Sequence, residues 1–167
     1  MKINLGKFLK KGWRRVDVQI DKFDTWNLDH SLALIIYPAL VQLKEVKHGV
    51  PGEFAQVGGE GYDGQQSFDF YSETVDECYE IGVARWNEVL DKMIWSFQQL
   101  CFDSYDDKYH HGEMKVEWED IPGSKLWKMV DGNPGEHWYD HVGHMLHEER
   151  IQEGLELFGK YYRSLWD

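Results

Sequence analysis

The chain lacks the features that mark secreted, membrane-bound and disulfide-stapled proteins. Its two cysteines, Cys78 and Cys101, lie far apart and form no CxxC pair. The N-terminal residues contain no apolar run long enough for a signal peptide or a membrane span. We therefore expect a cytoplasmic protein with two free thiols and no membrane partner.

Positive charge is also scarce. The 18 Lys and Arg residues stand against 30 Asp and Glu residues, so the formal net charge is −12 at pH 7. Binding of DNA or RNA depends on cations that release counterions from phosphates, and this balance therefore argues against a nucleic-acid polymer as the main partner. The carboxylates are spread along the chain, which favours a solvated surface over an acidic mimic of DNA.

Recognisable catalytic motifs are absent as well. The segment 58–64 is rich in glycine but lacks the lysine and the preceding buried strand of a phosphate-binding P-loop. The segment 147–150 reads HEER and not HExxH, and no recognisable nucleophile motif accompanies Asp29 and His30. These absences favour a non-enzymatic protein that holds neither a cofactor nor a metal ion.

The sequence does contain the material for one folded domain, residues 1–167. Apolar residues make up 42% of the chain and aromatic residues 15%, which is enough for a hydrophobic core. Three segments repeat apolar residues every three or four positions, so we predict an α+β, mainly α fold in which three long helices pack with a small antiparallel sheet. The predicted elements are helices over about 24–48, 72–101 and 137–165, a half-buried strand over 15–21, a hairpin of 114–118 and 126–130, a basic arm over 1–12 and a flexible glycine-rich loop over 49–71.

Cations and aromatic rings lie near the ends of the predicted elements. Such neighbours suit a small anionic ligand, because cations bind phosphate and rings stack on a nucleotide base. The candidate ligand-binding residues are Arg15, Trp26, Asp29, His30, Lys44, Lys47, His48, Arg85, Trp86, Lys160, Tyr161 and Arg163.

Histidines supply an alternative interpretation. His137 and His141 would be one turn apart in the last predicted helix, so their rings could hold one metal ion. A further ligand would have to come from elsewhere in the chain. This alternative predicts a metal-dependent hydrolase that uses the helix from His137 to His147, including His144, with help from His110, His111 or Asp140.

The first predicted helix has polar residues at both ends. These ends are about 20–27 Å apart at 1.5 Å of rise per residue, so one small site in a monomer cannot use both. Pro38 lies inside the helical pattern and is expected to kink or split the helix. A kink or a second subunit would have to bring the two ends together, and we therefore expect a homo-oligomer.

Three segments carry a family resemblance. They are residues 21–49, with DTWNLDH and KEVKHG, residues 85–97, RWNEVLDKMIWSF, and residues 154–167, GLELFGKYYRSLWD. Together they resemble a family of small bacteriophage proteins of unassigned function. The region between residues 98 and 150 lies outside the resemblance, and the family supplies no residue roles.

The resemblance implies a viral protein that works in the cytoplasm of a bacterial host. Small phage proteins of this kind serve as virion accessories, takeover factors or inhibitors of host defence. Together with the candidate ligand-binding residues, this predicts an anti-defence protein that sequesters a nucleotide-derived immune signal of the cyclic or ADP-ribose type. A third hypothesis is the binding of a host or virion protein through exposed Trp and Tyr side chains.

Overall fold

A computed structural model describes residues 1–8, 14–55, 73–102 and 106–166. Three long helices, α1 (Leu28–Val46), α3 (Glu73–Leu100) and α4 (His141–Tyr161), pack together with small two-stranded antiparallel sheets. The predicted α+β, mainly α fold is thus confirmed. The chain divides into two compact units, unit 1 (Met1–Asp103 with Ile151–Asp167) and unit 2 (Ser104–Arg150). The single domain over 1–167 stays a prediction.

Helices α1 and α3 form the centre of unit 1 and run in opposite directions. The His30 ring lies 3.0 Å from the Leu100 carbonyl at one end, and Tyr79 donates to the His48 carbonyl at the other. Their facing apolar stripes exclude water from the core, which is why periodic sequences fold as helices here. The buried core residues are Ala33, Leu40, Trp86, Leu90, Met93, Phe97 and Tyr161.

Pro38 does not split the first helix. Helix α1 runs without a break from Leu28 to Val46 with Pro38 inside it. The helix ends before Lys47, whose backbone is extended with φ −60° and ψ 140°. The predicted end at His48 is therefore slightly too late.

A short helix, α2 (Gly52–Ala55), interrupts the predicted flexible loop over 49–71. Phe54 of α2 packs against Trp86 and Tyr161, with ring centroids 5.5 Å apart in both pairs. The loop prediction is wrong for residues 52–55, because one aromatic anchor is enough to fix this turn on the core. Residues 56–72 lie outside the described part of the chain.

Helix α4 begins at His141 and not at the predicted His137. Asp140 accepts a hydrogen bond from the Gly143 amide through Oδ1 (2.9 Å), which satisfies a free donor of the first turn and fixes the helix start. Further along, a Cβ on Gly154 would lie 2.0 Å from Ser96 Oγ and 2.7 Å from the Lys92 carbonyl oxygen. Gly154 therefore allows the close approach of α4 to α3.

The N-terminal residues form a strand, β1 (Lys2–Phe8), which pairs with β2 (Arg14–Gln19). The prediction of a basic arm over 1–12 is wrong for residues 2–8, because Ile3 and Leu5 alternate with polar residues and stand opposite Val18 and Val16. The apolar face of this hairpin is exposed, whereas a half-buried strand was predicted.

Unit 2 contains two further antiparallel strand pairs. Strand β4 (Val116–Asp120) pairs with β5 (Trp127–Asp131), which confirms the predicted hairpin with slightly shifted ends. Strand β3 (His110–His111) follows a 3-10 turn at Asp107–Tyr109 and pairs with β6 (Trp138–Tyr139). In the described part of the chain, no helix combines the length and the apolar content that crossing a membrane requires.

Candidate functional site

The predicted ligand-binding residues at the start of α1 do not converge on one place. Trp26 is 83% exposed, and Asp29 is also exposed. The His30 ring is turned inward, where its Nδ1 lies 3.0 Å from the Leu100 carbonyl oxygen. A carbonyl only accepts, so Nδ1 carries the proton and His30 joins α1 to the end of α3.

The predicted ligand-binding residues at the end of α1 are Lys44, Lys47 and His48, and these three lie near one another. Lys44 Nζ lies 2.5 Å from Asp91 Oδ1, and Lys47 Nζ donates to the Lys44 carbonyl (3.0 Å). Burial lowers the pKa of Lys47, and the nearby Lys44 ammonium lowers it further. His48 follows directly and accepts from Tyr79 through its carbonyl. The Lys44 ammonium thus pairs with Asp91, and the charges of Lys44 and Asp91 both act on the Lys47 ammonium.

Two of the predicted stacking residues are core residues. Trp86 is 2% exposed and Tyr161 is 7% exposed, and with Phe54 they form the aromatic core cluster. The Trp86 and Tyr161 rings meet edge to face at 5.3 Å, so they cover one another. Burial raises the pKa of the Tyr161 hydroxyl, which agrees with a position in the core.

The remaining predicted cations lie on the surface of unit 1. Lys160 stands 4.6 Å from the centroid of the Tyr161 ring and 3.9 Å from Glu53 Oε1. Arg15, Arg85 and Arg163 are exposed. The predicted set is therefore divided between the core, two separate ends of α1 and the open surface.

The histidines are not arranged along one helix as the metal hypothesis requires. His137 precedes α4, and its Nε2 lies 3.1 Å from His110 Nδ1 of strand β3. His144 is 3.7 Å from Glu148 Oε1, and His147 Nδ1 is 3.1 Å from the Lys108 ammonium. No three His, Cys, Asp or Glu side chains could share a metal ion within the described ranges. Because α4 begins at His141, His137 lies outside the helix, and helical spacing does not place these two histidines one turn apart.

The β4–β5 hairpin presents a surface that was not among the predicted site residues. Trp118 stands opposite Met129, Val116 opposite Asp131, and Asp120 opposite Trp127. Directly opposed residues of an antiparallel pair share one face, so these side chains lie on the same side of the hairpin. We call the four apolar members the tryptophan face: Val116, Trp118, Trp127 and Met129.

The tryptophan face is open to solvent. Trp118 and Trp127 are each 60% exposed, and Val116 and Met129 are exposed too. Asp131 and Asp120 stand at the two ends of this face. The other side of the hairpin carries Glu117 and Glu119, with Lys128 opposite Glu119. The result is an apolar strip with a carboxylate at each end.

The open end of this hairpin is held by Asn133. Its Oδ1 accepts from the Lys115 amide (2.8 Å), and its Nδ2 donates to the Glu113 carbonyl (2.6 Å) and to Glu136 Oε2 (2.8 Å). The Gly132 amide also donates to the Lys115 carbonyl (2.8 Å). These hydrogen bonds join the two strands at this end of the hairpin and hold the tryptophan face in position.

Comparison of the chain with models of protein families, with curated proteins and with solved structures gives no significant match. One signal in the sequence points to the tryptophan face, namely the alternation of Val116 with Trp118 and of Trp127 with Met129 on either side of Pro122-Gly123. This alternation places the rings on one face but does not tell whether another element covers them.

Proposed function

We propose that this chain is a non-enzymatic binding protein that holds a basic protein partner on its tryptophan face. The observation that carries the proposal is the exposure of Trp118 and Trp127 on one face of the β4–β5 hairpin. Tryptophan and methionine are enriched in the cores of protein interfaces, and tryptophan is among the residues enriched at binding hot spots.

The energetic argument starts from the hairpin itself. A two-stranded hairpin is marginally stable in water and gains from a surface that covers its apolar side. A buried tryptophan removes about 150–250 Å² from water, so each of these rings leaves on the order of 100 Å² still to be covered. At about 25 cal/mol per Å² this corresponds to roughly 2–3 kcal/mol for each ring.

Charge indicates the chemistry of the partner. Asp120 and Asp131 lie on the tryptophan face, and the whole chain carries a formal charge of −12. A second copy would bring the same carboxylates to the interface, and like charges in contact oppose binding. A partner with Lys or Arg around an apolar patch complements both the rings and the acids. The predicted homo-oligomer would then use other surfaces.

The resemblance to small bacteriophage proteins fits this proposal. A phage protein can act on its host by binding a host protein, and many host proteins that handle nucleic acid carry basic surfaces. Binding such a surface requires no catalytic group, which agrees with the absence of nucleophile and cofactor motifs in the sequence.

Affinity capture from bacterial lysate tests the proposal when three baits are compared. The baits are the wild type, a Trp118→Ala/Trp127→Ala double variant and a Trp166→Ala control, because Trp166 is an exposed tryptophan of unit 1. We expect a basic protein to be retained by the wild type and the control and lost from the double variant. The captured protein is then purified, and its Kd is measured at low and high salt. Equal retention by all three baits would overturn the proposal.

Analytical ultracentrifugation separates this proposal from self-association. The wild type and the Trp118→Ala/Trp127→Ala variant should have the same oligomeric state in solution. A wild-type dimer that becomes a monomer in the double variant would show that a second copy covers the tryptophan face, and the proposal of a basic partner would be wrong.

A second candidate function keeps the small anionic ligand, which would be a nucleotide-derived signal. It is favoured by one observation, the neighbouring Lys44 and Lys47 ammonium groups next to His48. Burial and then the Lys44 charge lower the pKa of Lys47, and an added phosphate would offset the repulsion between the two ammonium groups. Calorimetry with cyclic dinucleotides and ADP-ribose tests it, with Lys47→Met and, as a control, Lys125→Met at an exposed lysine of unit 2. Tight binding lost only in Lys47→Met would support it, and no heat from either ligand would rule it out.

A further inference from the structure

We propose that His110 and His137 form a two-histidine site for a divalent transition metal ion, and that the ion clamps strand β3 to the segment before β6. His110 Nδ1 and His137 Nε2 face each other at 3.1 Å, with ring planes 24° apart. This proposal does not depend on the tryptophan face or on its partner.

The distance between the two nitrogens fits metal coordination. Two imidazoles bound to one ion at about 2.0–2.1 Å place their nitrogens about 2.9 Å apart at a right angle and about 3.4 Å apart at a tetrahedral angle. The observed 3.1 Å lies between these limits. Without metal, one ring has to donate its N–H to the lone pair of the other. The ion would replace that shared proton and use both lone pairs.

The backbone holds the two rings in this position. His110 pairs with Tyr139 and His111 with Trp138 in the β3–β6 ladder. Gly112 follows with φ +79°, and a Cβ there would lie 1.8 Å from the Glu136 carbonyl oxygen. Only glycine allows this approach, which brings the end of β3 beside Glu136 and its neighbour His137. The backbone therefore brings these two residues close to one another.

The class of ion follows from the ligands. Imidazole nitrogen suits Zn²⁺, Ni²⁺ and Cu²⁺ better than Mg²⁺ or Ca²⁺, and affinity rises from Ni²⁺ to Cu²⁺. The described residues offer no third His, Cys, Asp or Glu ligand, so water completes the coordination shell. His110 is exposed and His137 half-buried, which leaves room for this water. Such a site holds the two segments together and is not a closed structural zinc site.

Titration of the wild-type protein with Zn²⁺, followed by NMR of the imidazole nitrogens, tests the site without a mutation. The signals of His110 and His137 should shift first and together, at one ion per chain. Mg²⁺ should leave them in place. If other histidines respond first, or if all histidines respond at the same Zn²⁺ concentration, the proposed site is wrong.

Variants give an independent measurement. His110→Ala and His137→Ala should each weaken Ni²⁺ binding at least tenfold in calorimetry, as loss of a metal ligand or its support commonly does. His111→Ala is the matched control, because His111 is the next residue of β3 and stacks on Trp138 at 4.1 Å. Circular dichroism verifies that each variant is folded. Unchanged Ni²⁺ affinity in folded His110→Ala and His137→Ala would overturn the proposal.

Discussion

The aromatic core cluster of unit 1 and the tryptophan face of unit 2 use the same residue types in opposite surroundings. Trp86 lies among helices with almost no exposed surface, whereas Trp118 and Trp127 keep most of their rings in water. In the core cluster each ring is covered by the other two. The tryptophan face has no such cover within the described part of unit 2.

The surroundings of a tryptophan therefore decide whether its ring contributes to folding or to the binding of a partner. The burial of a ring inside the monomer stabilises the folded state through the hydrophobic effect. A ring that stays exposed still has this free energy available for a partner. Loss of Trp86 should therefore appear in the stability of the protein, and loss of Trp118 should appear in binding.

The largest effect is expected for Trp86→Ala. Removing this buried ring should reduce the free energy of unfolding by about 3–5 kcal/mol, because it takes away burial and leaves a cavity between Phe54 and Tyr161. Urea denaturation followed by circular dichroism measures the change. A loss below about 1 kcal/mol would contradict the assignment of Trp86 to the core.

The next effect is expected for Trp118→Ala. Its affinity for the captured partner should fall by about 2 kcal/mol or more, which is roughly 30-fold, as for a hot-spot tryptophan. Its free energy of unfolding should change by less than about 0.5 kcal/mol, as for most exposed positions. Calorimetric titration and urea denaturation give both numbers. If Trp118→Ala loses stability but keeps its affinity for the partner, Trp118 contributes to folding as Trp86 does and not to binding.

Gly154→Ala tests the close approach of α4 to α3 in unit 1. The added Cβ would meet Ser96 and the Lys92 backbone, so we expect a loss of about 1–3 kcal/mol from overpacking. Gly159→Ala is the matched control, since a Cβ there has open space. The control should gain about 0.5–1 kcal/mol from helix propensity. In thermal unfolding, the melting temperature should fall for Gly154→Ala and rise for Gly159→Ala. Equal shifts of the melting temperature would refute the close approach of α4 to α3.

The smallest effect concerns the pH dependence of unit 2. Burial lowers the pKa of His147, and the Lys108 ammonium beside its Nδ1 lowers it further. The folded protein therefore takes up this proton at lower pH than the unfolded chain, whose histidine titrates near 6.5. The stability that this histidine contributes is present above about pH 6.5 and is lost as the pH falls through the lower folded pKa. His147→Gln should flatten the stability profile in this range, and an unchanged profile would contradict the assignment.

Much of the fold could be predicted from periodicity. Helix α3 and the β4–β5 hairpin were predicted because Trp86, Leu90 and Phe97 repeat at helical spacing and Trp127 and Met129 alternate. The start of α4 was missed because Asp140, and not the histidine pattern, determines where the helix begins. Strand β1 was missed because its lysines favoured the interpretation as a basic arm over the alternation of Ile3 and Leu5 with polar residues.

The candidate site was less predictable, for a physical reason. A sequence shows which residues can share a face, but the cover of that face depends on tertiary packing. Trp86 and Tyr161 were predicted to bind a ligand, and the structure places them in the core. Trp118 and Trp127 were predicted only as strand residues, and the structure leaves them exposed. Residue type alone cannot distinguish the two situations.

Parallel measurement of unfolding and partner binding in Trp86→Ala and Trp118→Ala tests the central claim most directly. At a temperature where both variants are folded, we predict that Trp86→Ala loses stability and keeps its affinity for the captured basic protein. Trp118→Ala should keep its stability and lose at least about 2 kcal/mol of binding free energy. If Trp118→Ala binds the partner as tightly as the wild type, the tryptophan face is not the binding site.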